Sequence, residues 1–311
     1  MNEAITISRV TKRFGNHTAL DDVSLTVPKG TVFALLGENG AGKTTTIKLL
    51  LGLEEPDCGL LQVLGLDCRT HAEEIRRRVG YVPEQPALYD WMTAREIGWF
   101  TAGFYPEPYE QEYRKLLERF RVPEARKLAE LSKGMRAKVS LSLALAHQPE
   151  LLILDEPTSG LDTLVRREFL ESMVDIAAEG RTVLLSSHQI SEVERVADIV
   201  AIIREGELLV VESLDTLKCQ ISELTITMGG NSPPKLPCMP LASRQRGRQW
   251  QFLVRSEGTT EFDELPQQAE VVAVETRTPS LEEIFVAYMQ SDVRASRNTL
   301  DESLVASEEV Q

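Results

Sequence analysis

Short apolar runs alternate with amphipathic stretches over the first two hundred residues, the pattern of an α/β core. Ala4 to Val10 and Val23 to Val27 read as strands, the second closed by a Pro28-Lys29-Gly30 turn. Thr31 to Leu36 is a continuous apolar strand that runs straight into a glycine-rich stretch, and Lys43 to Leu51 follows with helical periodicity. From Thr93 to Pro149 the pattern is helical, with Tyr113, Leu116, Leu117 and Phe120 spaced for one face. This predicts a helical insertion over about residues 90–150. The alternation then resumes: strand Leu151 to Leu154, helix Thr163 to Ala178, strands Thr182 to Ser186 and Ile199 to Arg204. A tight Glu205-Gly206 turn leads into Glu207 to Val211.

After Leu214 the character changes. Gly229-Gly230-Asn231-Ser232-Pro233-Pro234 is a loop signal, flanked by expected strands at Leu224 to Met228, Gln249 to Val254 and Glu270 to Glu275. Ser280-Leu281-Glu282-Glu283 has capping-box spacing and opens a helix bearing Ile284, Phe285 and Tyr288. Residues 1–215 are therefore expected to form one domain and 216–290 a small α+β accessory domain. The polar, acidic and aperiodic residues 291–311 are expected to be a disordered tail.

Composition narrows the picture. The apolar fraction is 42% and the charged fraction 26%, values of a globular protein. No secretory signal pattern opens the chain, and no apolar run reaches the roughly 20 residues of a membrane-spanning helix. Any membrane role is therefore expected to be delegated to a partner. Cys58, Cys68, Cys219 and Cys238 are scattered, which argues against a disulfide framework or a zinc site and for a reducing cytoplasm. A net charge of −14 argues against nonspecific nucleic-acid binding. Between Glu223 and Glu257 no acid occurs, while Lys235, Arg244, Arg246, Arg248 and Arg255 do, a segment read as a solvated hairpin rim.

The glycine-rich stretch is Gly37-Glu38-Asn39-Gly40-Ala41-Gly42-Lys43-Thr44, the P-loop pattern between an apolar strand and a helix. Glycines let backbone N–H groups of Asn39, Gly40, Ala41 and their neighbours turn toward phosphate oxygens. The following helix adds its N-terminal partial charge, Lys43 a full one. The Thr44 hydroxyl suits Mg²⁺, and Thr45 offers a further phosphate contact. Leu151 to Leu154 ends in Asp155-Glu156, at the carboxyl end of a strand, where ligands gather in parallel sheets. Asp155 suits a metal role and Glu156 polarisation of the attacking water. His188 follows another strand, and is either a structural histidine of a strand end or a sensor of the γ-phosphate.

As a set these residues resemble the nucleotide-binding subunit of an ABC (ATP-binding cassette) transporter. Leu131-Ser132-Lys133-Gly134-Met135 is similar to the LSGGQ signature, and Ser159-Gly160-Leu161-Asp162 matches the D-loop. His188 matches the switch histidine, and Phe14 the aromatic residue that stacks on adenine. The resemblance covers about residues 1–215. It implies a P-loop NTPase core with a β-rich subdomain and a helical insertion. It implies ATP and Mg²⁺ as cofactors and a second cassette, identical or different, as partner. Ser132, Gly134 and Asp162 would then serve the partner's nucleotide, and hydrolysis would drive integral membrane permease subunits from the cytoplasmic face of the membrane.

Three positions depart from the pattern: Lys133 and Met135 in the signature, and Glu84 at the Q-loop glutamine position, with Gln85 next to it. Either Glu84 or Gln85 is a candidate to face the metal. Tyr81-Val82-Pro83-Glu84, Phe104-Tyr105-Pro106 and Thr278 to Phe285 resemble bacterial exporters with separately encoded permeases. The alternative is a soluble ABC ATPase acting on ribosomes or nucleic acid. One cassette and no heptad run favour transport.

Overall fold

The computed structural model of the chain describes residues 3–230, 232–256, 262, 265–268 and 270–291. Two compact units divide between Val211 and Glu212, slightly before the expected boundary at 215. Glu212, the first residue of the second unit, pairs through its carboxylate with the Arg255 guanidinium of the same unit.

In the first unit, β1 (Glu3–Phe14) and β2 (His17–Pro28) form a long antiparallel hairpin. β3 (Val32–Leu36) then leads through the glycine-rich loop into α1 (Lys43–Leu50). β4 (Cys58–Val63), β5 (Leu66–Asp67), α2 (Ala72–Arg78) and β6 (Val79–Val82) follow. The sequence pattern assigned none of these four: β5 and β6 are very short, Cys-Gly-Leu-Leu-Gln-Val of β4 has no regular alternation, and α2 buries only Ile75 and so shows no apolar face. The helical insertion consists of α3 (Ala94–Ala102), α4 (Tyr109–Arg119) and α5 (Lys133–Leu145). β7 (Leu151–Asp155), α6 (Thr163–Ala178), β8 (Thr182–Ser187), α7 (Ile190–Val193), β9 (Ile199–Arg204) and β10 (Glu207–Ser213) complete the unit.

These strands make two sheets. One runs β2-β1-β4-β5 and is antiparallel; the other runs β10-β9-β3-β8-β7-β6, with β3, β6, β7, β8 and β9 parallel. All residues of β3, β7 and β8 are buried, as in parallel strands covered on both faces. Ile5, Val10, Val23 and Val27 of the antiparallel sheet join Phe33, Leu35, Ile47, Leu50, Ile153 and Ile203 in one core. Each such side chain contributes about 1.5–3 kcal/mol by leaving water.

The insertion has its own core. Tyr113 and Leu117 are buried, while Leu116 and Phe120 pack against the cluster from its rim, as their spacing implies. Thr93 and Glu96 form a capping box at the start of α3. Tyr109 and Tyr113 donate to the carbonyls of Leu143 and Ala94, and burial pushes both phenols upward.

The second unit contains α8 (Leu214–Gln220), β11 (Ile221–Met228), β12 (Ala242–Arg246), β13 (Gln249–Arg255), β14 (Val271–Arg277) and α9 (Leu281–Gln290). Its antiparallel sheet runs β12-β13-β11-β14. β12 is absent from the sequence pattern because Ala-Ser-Arg-Gln-Arg carries no apolar alternation; pairing with β13 alone makes it a strand. Lys235, Arg244, Arg246 and Arg248 of the acid-free segment lie exposed, whereas Arg255 departs from the expected solvated rim, being partly buried and paired with Glu212. Of the acidic tail expected over 291–311, all but Ser291 lies outside the described residues.

Ser280 and Glu283 form the capping box read from the sequence, and α9 buries Leu281, Ile284, Phe285, Ala287 and Tyr288. Glu283 also accepts from Arg277 at 2.6 Å, and Arg277 pairs with Glu223 at 2.6 Å. Hydrogen bonding from Arg277 lowers the Glu283 carboxyl from 4.5 to about 2. The folded carboxyl titrates below its unfolded value, so its contribution is complete above about pH 4.5 and lost as pH falls through about 2. Glu283→Gln is expected to flatten the pH dependence of this unit's denaturation in that window, read by urea melts from pH 5 to pH 2.

Candidate nucleotide site

The site grows from the carboxyl ends of three adjacent parallel strands. β3 delivers the glycine loop and Lys43, β7 delivers Asp155 and Glu156, and β8 delivers Ser186, Ser187 and His188. The loop turns into α1 at Gly42, whose φ is 110°. A side chain there would be strained in conformation and would stand 2.6 Å from the Ala19 carbonyl, so only glycine fits.

Lys43 is buried, with 6% of its side chain exposed. Its ammonium donates to the Gly37 carbonyl at 2.7 Å and the Glu38 carbonyl at 3.2 Å, and lies 3.1 Å from Glu156 Oε1. Glu156 Oε2 lies 2.7 Å from His188 Nδ1 and 3.3 Å from the His188 backbone nitrogen. A carboxylate only accepts, so Nδ1 carries the proton in this hydrogen bond. A continuous chain thus runs from the loop lysine through the carboxylate to the histidine. Glu156 Oε1 faces the Lys43 ammonium and has no further hydrogen-bond partner among the described residues.

Glu156 also holds a left-handed backbone, with φ of 48°. Such a conformation costs on the order of 1–3 kcal/mol in a non-glycine residue and persists only where surroundings impose it. Here the Ser186 carbonyl and hydroxyl both accept from the Glu156 N–H, at 3.2 and 3.1 Å. The same hydroxyl donates to Asp155 Oδ1 at 2.6 Å. Burial and the Asp155 charge push the Tyr81 phenol up to about 12. Ser186 and Tyr81, like His17 and Ala19 of β2 at the cavity described below, are site residues that sequence reasoning missed. They lie in ordinary strands, and only pairing across the sheet reveals them.

A cavity of about 370 Å³ opens over the loop. Phe14, Asn39, Gly40, Gly42, Lys43, Thr44, Thr45, Glu84 and Glu156 line it, together with His17, Ala19 and Glu38. Gly37, Ala41 and Asp155 are not among the lining residues; Asp155 is buried and accepts from the Ser186 hydroxyl. Of the two Q-loop candidates, Glu84 lines this cavity. Glu84 also borders a second cavity, which Gln85 lines with Lys133, Arg136 and Ser159. Ser132, Gly134 and Asp162 are not among the lining residues. Ser132 caps α5 by accepting from Met135 N–H, and Asp162 caps α6 by accepting from Val165 N–H. Among the described residues no three His, Cys, Asp or Glu side chains gather into a metal-holding group.

Comparison with known proteins gives the family. The ABC transporter family pattern matches residues 20–159. The uncharacterized ABC transporter ATP-binding protein YhaQ of Bacillus subtilis is 32% identical over 296 residues, 91% of this chain and 97% of that one. The chain belongs to the ABC transporter family. The Nod factor export ATP-binding protein I of Burkholderia lata is 38% identical over 208 residues, 65% of this chain and 68% of its own. A solved ATP-binding subunit of an ABC transporter superposes with a TM-score of 0.64 at 34% identity, covering 70% of this chain and 92% of that chain. This ABC protein is therefore an ATP-binding subunit of a membrane-associated transporter. None of its described helices is long and apolar enough to cross a membrane.

Ser186 joins the two acidic residues of the site by one hydroxyl. Ser186→Ala removes the donor to a buried carboxylate and is expected to cost about 1–3 kcal/mol, measured by chemical denaturation.

Proposed function

We propose that this chain hydrolyses ATP and drives separately encoded permease subunits, working as an exporter from the cytoplasmic face of the membrane. The observation that carries the reading is the linkage of Lys43, Glu156 and His188 at one end of the parallel sheet. An ammonium for phosphate, a buried carboxylate for water and an imidazole to orient that carboxylate suit hydrolysis of the β–γ phosphoanhydride bond of ATP.

Phe14, which lines the cavity and is 44% exposed, would stack on adenine. The loop N–H groups from Gly37 to Gly42, with Lys43 and Thr45, would hold the phosphates. Thr44, Glu84 and Asp155 are hard oxygen donors of the kind magnesium takes, and phosphate oxygens would supply the rest of its coordination. Bound there, magnesium would neutralise charge on the transferred phosphoryl group. Glu156 polarises the attacking water, and His188 keeps its carboxylate aligned through the Nδ1 hydrogen bond.

Ser132, Gly134 and Asp162, which do not line this cavity, face the nucleotide of a second cassette in the proposed reading, whether the two are identical or not. Export rather than import is supported by likeness to the Nod factor export protein and by the Tyr81 to Glu84 and Thr278 to Phe285 segments.

Two variants test the mechanism in one assay. Lys43→Ala is expected to abolish nucleotide binding. Glu156→Gln is expected to retain ATP, lower turnover by about a hundredfold or more, and accumulate as a dimer on size exclusion. Normal turnover by Glu156→Gln would remove Glu156 from its role. Purification from detergent-solubilised membranes is expected to recover an integral membrane partner; recovery of ribosomes would favour the soluble alternative.

A further inference from the structure

The segments matched to the signature and the D-loop are packed directly on one another within this chain. Lys133, the first residue of α5, extends its side chain to Gly160, where the ammonium occupies the space a Cβ would take. Gly134 follows and is buried; a Cβ there would stand 2.7 Å from Val165 Cγ1 and 3.2 Å from Cγ2. Val165 lies in the first turn of α6, with its N–H held by the Asp162 carboxylate at 3.0 Å. A valine is branched at Cβ and stiff about χ1, so it cannot swing aside as a long side chain would. One helical turn beyond Gly134, Lys138 pairs with Glu168 at 2.8 Å, one turn beyond Val165. Glu168 is half exposed, so this pair adds little, and the close approach at Gly134 dominates.

We propose that Lys133, Gly134 and Val165 are positioning residues that make the signature segment and the D-loop one rigid element. Ser132 and Asp162 then reach a second cassette's nucleotide together rather than independently. The glycine at 134 is required by its own chain's Val165, not by the approach of a phosphate. Lys133, standing where the family pattern has glycine, closes the same contact from the loop side. This rests on the composite-site reading of the preceding subsection.

The experiment is a rescue. Gly134→Ala, Val165→Ala and their combination are compared by ATPase kinetics, by melting temperature, and by ATP-dependent dimerisation in a Glu156→Gln background. Gly134→Ala is expected to lower both the melting temperature and kcat, the latter by as much as about 100-fold if the displaced segment misses the nucleotide by an ångström. The combined variant is expected to recover both. A combined variant that melts normally but stays as inactive as Gly134→Ala would overturn the proposal, because the glycine would then be demanded by the phosphate. Lys133→Met is expected to raise the ATP needed for half-maximal dimerisation several-fold, with monomer nucleotide binding unchanged; no shift would remove Lys133 from the element. If the Glu156→Gln background stays monomeric in saturating ATP, the composite-site reading fails by itself. The melting temperatures then still decide whether the two segments are locked, and an unperturbed Gly134→Ala would show that they are not.

Discussion

The buried pair between Lys43 and Glu156 sets the terms for everything around it. Two opposite charges, each with less than a tenth of its side chain exposed, are stable inside a protein only when each is held by the other and by further hydrogen bonds. The Gly37 and Glu38 carbonyls hold the ammonium, and His188 holds the carboxylate. These groups meet because β3, β8 and β7 are neighbours in that order and end at the same edge of the sheet. The strand order is therefore the condition for the site. Strain at Glu156, whose backbone is left-handed, is absorbed by the same neighbour, Ser186, that bonds Asp155.

The rest of the molecule divides into parts that surround this site and a part that is independently built. The antiparallel sheet carries Phe14 to the cavity at the end of its long hairpin and shares a core with α1 behind the loop. The helical insertion closes around a tyrosine-rich core of its own and presents Ser132 at the head of α5. The accessory unit has a separate core of Leu224, Ile226, Phe252 and Val254, with α9 secured by a capping box and by Arg277. A single acidic chain thus contains regions with different electrostatic character: carboxylates concentrated around ion pairs, and an exposed basic hairpin where the sequence has no acids.

By itself the sequence determined whatever depends on local physics. The turn at Gly42, the charge of Lys43 and the apolar strand before them are fixed by neighbours in the chain, so the phosphate loop was legible from spacing. The same holds for the helix from Thr163 to Ala178 and the cap at Ser280, which rest on helical periodicity and on hydrogen bonds three residues apart. Only the tertiary structure decided what depends on pairing between distant segments. It made β12 a strand without an apolar pattern, put Glu84 rather than Gln85 over the loop, and revealed Ser186 as the link between Asp155 and Glu156. It set Gly134 against Val165, a closeness that no spacing encodes. Local conformation is written in adjacent residues, whereas burial, sheet order and steric limits arise only once remote parts of the chain share the same space.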